Sequence, residues 1–388
     1  MKKTILFLFL ACFAGAQISA QVVKTPNMQK KWAWLDFERP IGINPLLAPN
    51  AESTFYCSMQ ENTVKWESAD TFNPAATIIN GQIVVLYRAE DDATKGLGMR
   101  TSRIGYASSN DGIHCLRHGA PVMFPGKDAQ ADAENGGGCE DPRVCMTEDG
   151  TYVMMYTQWN RKCARLGVAT SRDLVNWTKH GSPFHKAYGG KFENMFSKSA
   201  SIVTKIDKQG RQVIAKINGK YWMYWGEQYV NVATSEDLIN WTPEVDENGE
   251  IKKTILPRPG YFDSMLTECG PPAVMTKDGI ILFYNGKNDA LNGDKTYTAN
   301  TYCAGQILFD KKNPYKVLDR LDDPFYKPEA DFEKSGQFSD FPIIGPPESI
   351  LLSPSGMPPH ASMSTLTGVP ILTRKFPGCA TSFPVTVV

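Results

Sequence analysis

The chain has 388 residues, 41 basic against 41 acidic, with 42% apolar residues. That balance, with no basic run standing out, excludes nucleic acid and anionic membrane as expected partners, since both call for a concentrated positive face. The length suffices for one large all-β domain or two ordinary ones.

The first element reads as a targeting segment. Lys2 and Lys3 precede an apolar run from Ile5 to Ala14, and Ile18-Ser19-Ala20 offers a small-residue cleavage site before Gln21. This is the layout of a secretory signal peptide over residues 1–20, so the mature protein is expected in the periplasm or at the cell surface. A lipoprotein signal at Leu10-Ala11-Cys12 is the weaker alternative, because Cys12 falls inside the apolar run. The run is too short to span a bilayer, and no later segment is apolar enough, so no membrane insertion is expected. Cysteines 57, 115, 139, 145, 163, 269, 303 and 379 follow without CxxC or other metal spacing. They read as mostly free, buried thiols, with no metal and no cofactor.

A repeat then organises the chain. Val168-Ala169-Thr170-Ser171-Arg172-Asp173-Leu174-Val175-Asn176-Trp177-Thr178 recurs from Val232 to Thr242, and Tyr106 to Ile113 is a weaker copy. The aspartates of the three copies, Asp111, Asp173 and Asp237, are 62 and 64 residues apart. Apolar strands ending in Tyr87, Tyr156, Tyr224 and Tyr284 follow Asn80-Gly81, Asp149-Gly150, Asn218-Gly219 and Asp278-Gly279. Asn-Gly or Asp-Gly between apolar runs is the strongest short-range hairpin signal. Four hairpins at this spacing, with no helical pattern between them, predict an all-β, five-bladed β-propeller over residues 21–340. A two-sheet sandwich would not repeat at so long a period.

The last 48 residues do not fit. Residues 341–388 hold nine prolines, no Tyr or Trp, and one carboxylate, Glu348. Pro cannot donate to a sheet ladder, so the fifth blade is not legible there. The segment reads as an atypical Pro-rich tail, with a shift of reading frame near Gln337 to Asp340 as the favoured cause.

In a propeller the segments leading into each hairpin line the axis. Three carboxylates fall there: Asp141 and Glu268, at nearly matching places in different units, and Glu227 on the unit between them. Glycoside cleavage needs an acid on one face and a base or nucleophile on the other, and carboxylates are the usual choice. One such residue alone would read as a solvated rim group or half of a salt bridge; three at related positions point to a site. Trp159, Trp225, Tyr224, Tyr261 and Phe262 would either stack on sugar rings or pack between blades. The histidines (114, 118, 180, 185 and 360) are too scattered to serve a Ser-His-Asp enzyme.

Gly137-Gly138-Cys139-Glu140-Asp141-Pro142-Arg143, with Asn73-Pro74, Leu86-Tyr87-Arg88 and the Ala-Thr-Ser-x-Asp-Leu-x-x-Trp units, resembles glycoside hydrolase family 130. The resemblance runs from about residue 40 to 337. It implies a five-bladed propeller acting on β-mannosides with inversion, either as a phosphorylase or, in a Bacteroidetes branch, as a hydrolase of β-1,2-linkages. It puts the proton donor on Asp141, acting through a sugar hydroxyl in the phosphorylases, and Asn73, Arg88 and Arg143 on the first mannose. Arg143 would otherwise pair with Asp141 or Glu140. A phosphorylase must hold a phosphate dianion, which two glutamates would repel and Arg161, Lys162 and Arg165 would favour. Glu227 and Glu268 instead suit holding and deprotonating a water. The expectation is therefore an exo-acting inverting hydrolase releasing mannose from β-mannosides, with β-1,2 as the expected linkage. The alternatives are a β-mannoside phosphorylase and a non-catalytic mannan-binding propeller; in each the partner is a mannose-containing glycan.

Overall fold

The computed structural model describes residues 24–37, 45–96, 98–330 and 333, and one two-strand ladder in the tail. A small hairpin, β1 (Phe55–Cys57) with β2 (Asn62–Val64), precedes the first blade. Blade one is β3 (Asp70–Ile79), β4 (Gln82–Glu90), β5 (Ser102–Ser109) and β6 (Leu116–Arg117), antiparallel in sequence order. Blade two repeats it with β7 (Gly138–Met146), β8 (Tyr152–Trp159), β9 (Ala164–Ser171) and β10 (Thr178–Gly181). Blade three comprises β11 (Ala200–Ile206), β12 (Gln212–Ile214), β13 (Lys216–Ile217), β14 (Lys220–Trp225), β15 (Val230–Ser235), β16 (Trp241–Pro243) and β17 (Lys253–Ile255). Blade four comprises β18 (Leu266–Cys269), β19 (Ala273–Met275), β20 (Ile280–Lys287), β21 (Tyr302–Phe309) and β22 (Val317–Arg320).

The turn chemistry explains the repeat. Asn80-Gly81 and Asn218-Gly219 both place two successive residues at positive φ, as a two-residue hairpin turn of matching twist requires. In the Asp turns, Asp173 Oδ1 accepts from the backbone N–H of Val175 at 2.9 Å and Asn176 at 2.7 Å, and Asp237 Oδ1 does the same with Ile239 and Asn240. The indole of Trp177 then closes on the carbonyl of Leu174, and that of Trp241 on Leu238, both at 3.0 Å. Each turn thus uses the Ser, Asp, Asn and Trp of its motif.

The core lies between blades. One apolar cluster joins Val84, Leu86 and Ile104 of blade one to Met154 and Tyr156 of blade two. A second joins Met155 and Val168 to Ile202, Met223 and Trp241, and a third joins Tyr224 and Val232 to Leu282, Ile307 and Phe309. Each such side chain contributes about 1.5–3 kcal/mol on burial, so adjacent blades hold each other in place. On the far face of blade four, Trp34 and Phe37 of the N-terminal segment pack against Phe283. The fold is a five-bladed β-propeller, and four of its blades lie in the described residues. The fifth, and the tail from residue 341, fall outside them apart from β23 (Thr373–Arg374) paired with β24 (Phe383–Pro384).

Candidate active site

The inner strands are built to break register at one point. β3 shifts between Phe72 and Ala75, and β7 between Glu140 and Arg143. The residues left over are Asn73-Pro74 and Asp141-Pro142; Pro carries no N–H for the ladder. Asn73, Asp141 and, in blade three, Ser199 all sit at φ between 44° and 51°. After glycine, Asn and Asp tolerate this left-handed conformation best, and it turns the side chains off the strand alternation. Three blades therefore deliver a polar side chain to one place.

Those side chains meet around two cations. Asn73 Nδ2 donates to Asp141 Oδ1 at 2.6 Å, and Arg88 Nη1 to the same oxygen at 3.1 Å. Arg88 Nη2 also holds Glu90 at 2.7 Å and Glu140 at 2.9 Å. Lys198, on the segment entering blade three and 1% exposed, lies 3.4 Å from Asp141 Oδ2. Burial alone would raise the Asp141 carboxyl, but Lys198, Arg88 and Asn73 hold it well below the usual carboxylate range. Burial lifts Glu140 to about 7 against the same two cations. Burial would lower the Lys198 ammonium, and the combined charge of Asp141, Glu227, Glu140 and Glu268 raises it instead.

Glu227 and Glu268 form the second half of the site. Glu227 follows Gly226, whose φ of 122° a side chain would not permit, since a Cβ there would lie 2.2 Å from the Tyr229 carbonyl. The loop then runs beside β18: Cys269 N–H donates to Gly226 O at 3.3 Å and Thr267 N–H to Gln228 O at 3.2 Å. This antiparallel bracket puts Glu227 directly opposite Glu268, where side chains of facing residues touch. Ser199 Oγ donates to Glu268 Oε1 at 2.5 Å, while Glu227 Oε2 is enclosed with no hydrogen-bond partner. Burial raises the Glu227 carboxyl to about 8; Lys198 opposes the rise, and Glu268 and Asp141 add to it.

Asp141, Glu227 and Glu268 thus share one electrostatic cluster centred on Lys198, and Asn73 and Arg88 belong to its Asp141 side. The strand register refines the matching of blades: Glu140 stands opposite Thr157 and Glu268 opposite Asn285, each the residue after the blade's tyrosine. Glu268 is level with Glu140, and Asp141 falls in the bulge just after it. Arg143 does not make the ion pair weighed for it. Its Nε donates to Gly270 O at 3.0 Å and its Nη1 to Pro142 O at 3.1 Å, while Ser201 Oγ reaches the same Gly270 carbonyl at 2.8 Å. Blades two, three and four are stitched there at one oxygen. Of the aromatics, Trp159, Trp225, Tyr224 and Phe262 are packed, each at most 5% exposed, and only Tyr261 is partly open. Arg161 and Arg165 are engaged with Met99 O and Asn194 Oδ1 rather than with the carboxylates. Lys198 and Lys287 were not singled out from sequence; a lysine between two serines on the segment entering blade three was the available signal for the first.

A family-wide sequence profile described as β-1,4-mannooligosaccharide phosphorylase, of the glycoside hydrolase 130 group, matches residues 41–342. The chain belongs to glycoside hydrolase family 130. A 1,2-β-oligomannan phosphorylase from Thermoanaerobacter is 32% identical over 298 residues, covering 75% of this chain and 83% of that protein. A solved glycosyl hydrolase from Bacteroides ovatus is 57% identical with a TM-score of 0.78, over 82% of this chain and 88% of its own. A further structure is 58% identical, TM-score 0.78, over 80% of this chain and 86% of its own. It is reported as "The GH130 family of mannoside phosphorylases contains glycoside hydrolases that target beta-1,2 mannosidic linkages in Candida mannan". The expected family and fold hold, and the family's enzymes act on β-mannosidic linkages. The names found favour phosphorolysis, through the curated relative and the profile, over the hydrolysis expected from sequence.

Proposed function

We propose that the protein is an exported, inverting glycoside hydrolase that removes mannose from the end of β-mannosides, with β-1,2-linkages as the preferred substrate. The observation that carries this reading is the opposed pair Glu227–Glu268. A phosphate dianion at that point would meet two acidic side chains, both charged once Glu227 ionises, whereas a water would find oxygen acceptors on both. The free Oε2 of Glu227 and its carboxyl near pH 8 suit a general base, which works best when its pKa lies near the working pH. Glu268, held by Ser199, orients the same water. Asp141 handles the proton on the other face. Asn73, Arg88 and Lys198 keep it ionised in the open site, so the proton it passes, through a sugar hydroxyl, is taken up with substrate. Asn73 and Arg88, both in contact with Asp141, then bind the first mannose. The structures at 57% and 58% identity support hydrolysis by their descriptions, and the signal-like N-terminus agrees, since a sugar phosphate made outside the cell saves no energy.

The second reading is phosphorolysis, favoured by the 32% identical relative and by the two lysines, Lys198 and Lys287, near the same pair. Incubating the full-length protein with β-1,2-mannobiose, with and without inorganic phosphate, separates the two. Free mannose in both conditions is expected. Mannose 1-phosphate formed only when phosphate is present overturns the hydrolytic reading.

A further inference from the structure

The scheme above leaves Lys287 unused. It lies two residues beyond Asn285 on β20 and so on the same face of the strand. Asn285 stands opposite Glu268, and Lys287 opposite Tyr302. That face therefore gathers Glu268, Asn285, Lys287 and Tyr302, and the Gly226–Tyr229 loop brings Glu227 beside it. Lys287 is only 2% exposed. Its ammonium lies 5.6 Å from the centre of the Tyr302 ring, and among the described residues no carboxylate comes within ion-pair distance of it. An ammonium in so dry a place costs free energy unless a charge answers it. Burial lowers it to about 8, and the opposing influence is Glu227. Two polar atoms beside it are likewise enclosed and unpartnered, the Tyr302 hydroxyl and Glu227 Oε2.

The groups that act on Glu227 can be sorted by element. Glu268 from β18 and Asp141 from β7 oppose its ionisation; Lys198 before β11 and Lys287 from β20 favour it. Lys198 is already committed to Asp141. Lys287 has no such commitment, and Glu268 has its own donor in Ser199. We propose that Lys287 is a positioning residue that supports the ionised form of Glu227 beside Glu268, making Glu227 rather than Glu268 the group that takes the proton from the attacking water. The inference rests on the hydrolytic reading.

The test is kcat/KM of the full-length Lys287→Met protein on β-1,2-mannobiose across pH, beside the parent. Without the ammonium Glu227 ionises later. A rise of one unit costs about tenfold near pH 6, and the deficit then closes to within about twofold near pH 9.5, where Glu227 ionises unaided. Lys287→Gln, a polar neutral replacement, is expected to give the same pattern should the Met variant fold poorly, and Lys287→Arg to stay near the parent. A loss of equal size at both pH values, or none at either, overturns the proposal. If the parent itself makes only mannose 1-phosphate, the hydrolytic reading has failed; if the parent hydrolyses and the pH-dependent deficit is missing, only the role of Lys287 has.

Discussion

Replacing Lys198 with Met removes the positive charge at the centre of the site while keeping most of the side-chain volume. At 3.4 Å from Asp141 Oδ2, the attraction is about 5 kcal/mol at an effective dielectric of about 20. Arg88 and Asn73 stay on the other oxygen and soften the loss. Removing one partner of a buried pair typically costs about 3–5 kcal/mol, because the other charge is left uncompensated. We expect about 3 kcal/mol, read by urea denaturation at pH 7. The pH dependence has a definite sign. Asp141 is held below its unfolded value, so its contribution is present above about pH 4 and fades as acid protonates it in the folded state. Lys198 is raised above its unfolded value, so its contribution is full below about pH 10 and fades as alkali removes the proton. The gap between parent and variant is therefore widest between those limits. Adding Asp141→Asn to the variant removes the stranded charge and should recover part of the stability. A variant within about 1 kcal/mol of the parent at pH 7, or a second substitution that simply adds its own cost, would refute the pairing.

Two further outcomes follow from the site. Glu227→Gln should lower kcat by about 10²–10⁴, the usual contribution of a general base, while Glu268→Gln lowers it less; equal losses would mean that the pair acts as one unit. Arg143→Met should destabilise by about 2–4 kcal/mol in the same denaturation assay, since two hydrogen bonds from a charged donor to buried carbonyls are lost. A rise in KM with stability unchanged would instead make Arg143 a residue that binds the sugar.

The repeat was legible because its turns are chemically demanding. An Asp that accepts two backbone N–H groups, followed by a Trp that closes on the residue after it, leaves the same residues at the same offsets wherever it is used. Asn-Gly at positive φ does likewise for the hairpins. These local rules singled out Asp141, Glu227 and Glu268, whose charges the fold gathers around Lys198. They could not tell a packed aromatic from a sugar platform, because Trp225 and Tyr224 carry the same side chains in either setting and only blade-to-blade packing buries them.

By itself, the sequence determined the all-β architecture and the blade period, since each is written in residues close together along the chain. Tertiary structure alone decided the partners. Lys198 meets Asp141 from another blade, Glu227 faces Glu268 because two backbone hydrogen bonds bracket them, and Arg143 turns to a carbonyl on blade four instead of a neighbouring carboxylate. Charge couples through space at a few ångströms, and no spacing along the chain records which blades stand that close around an axis.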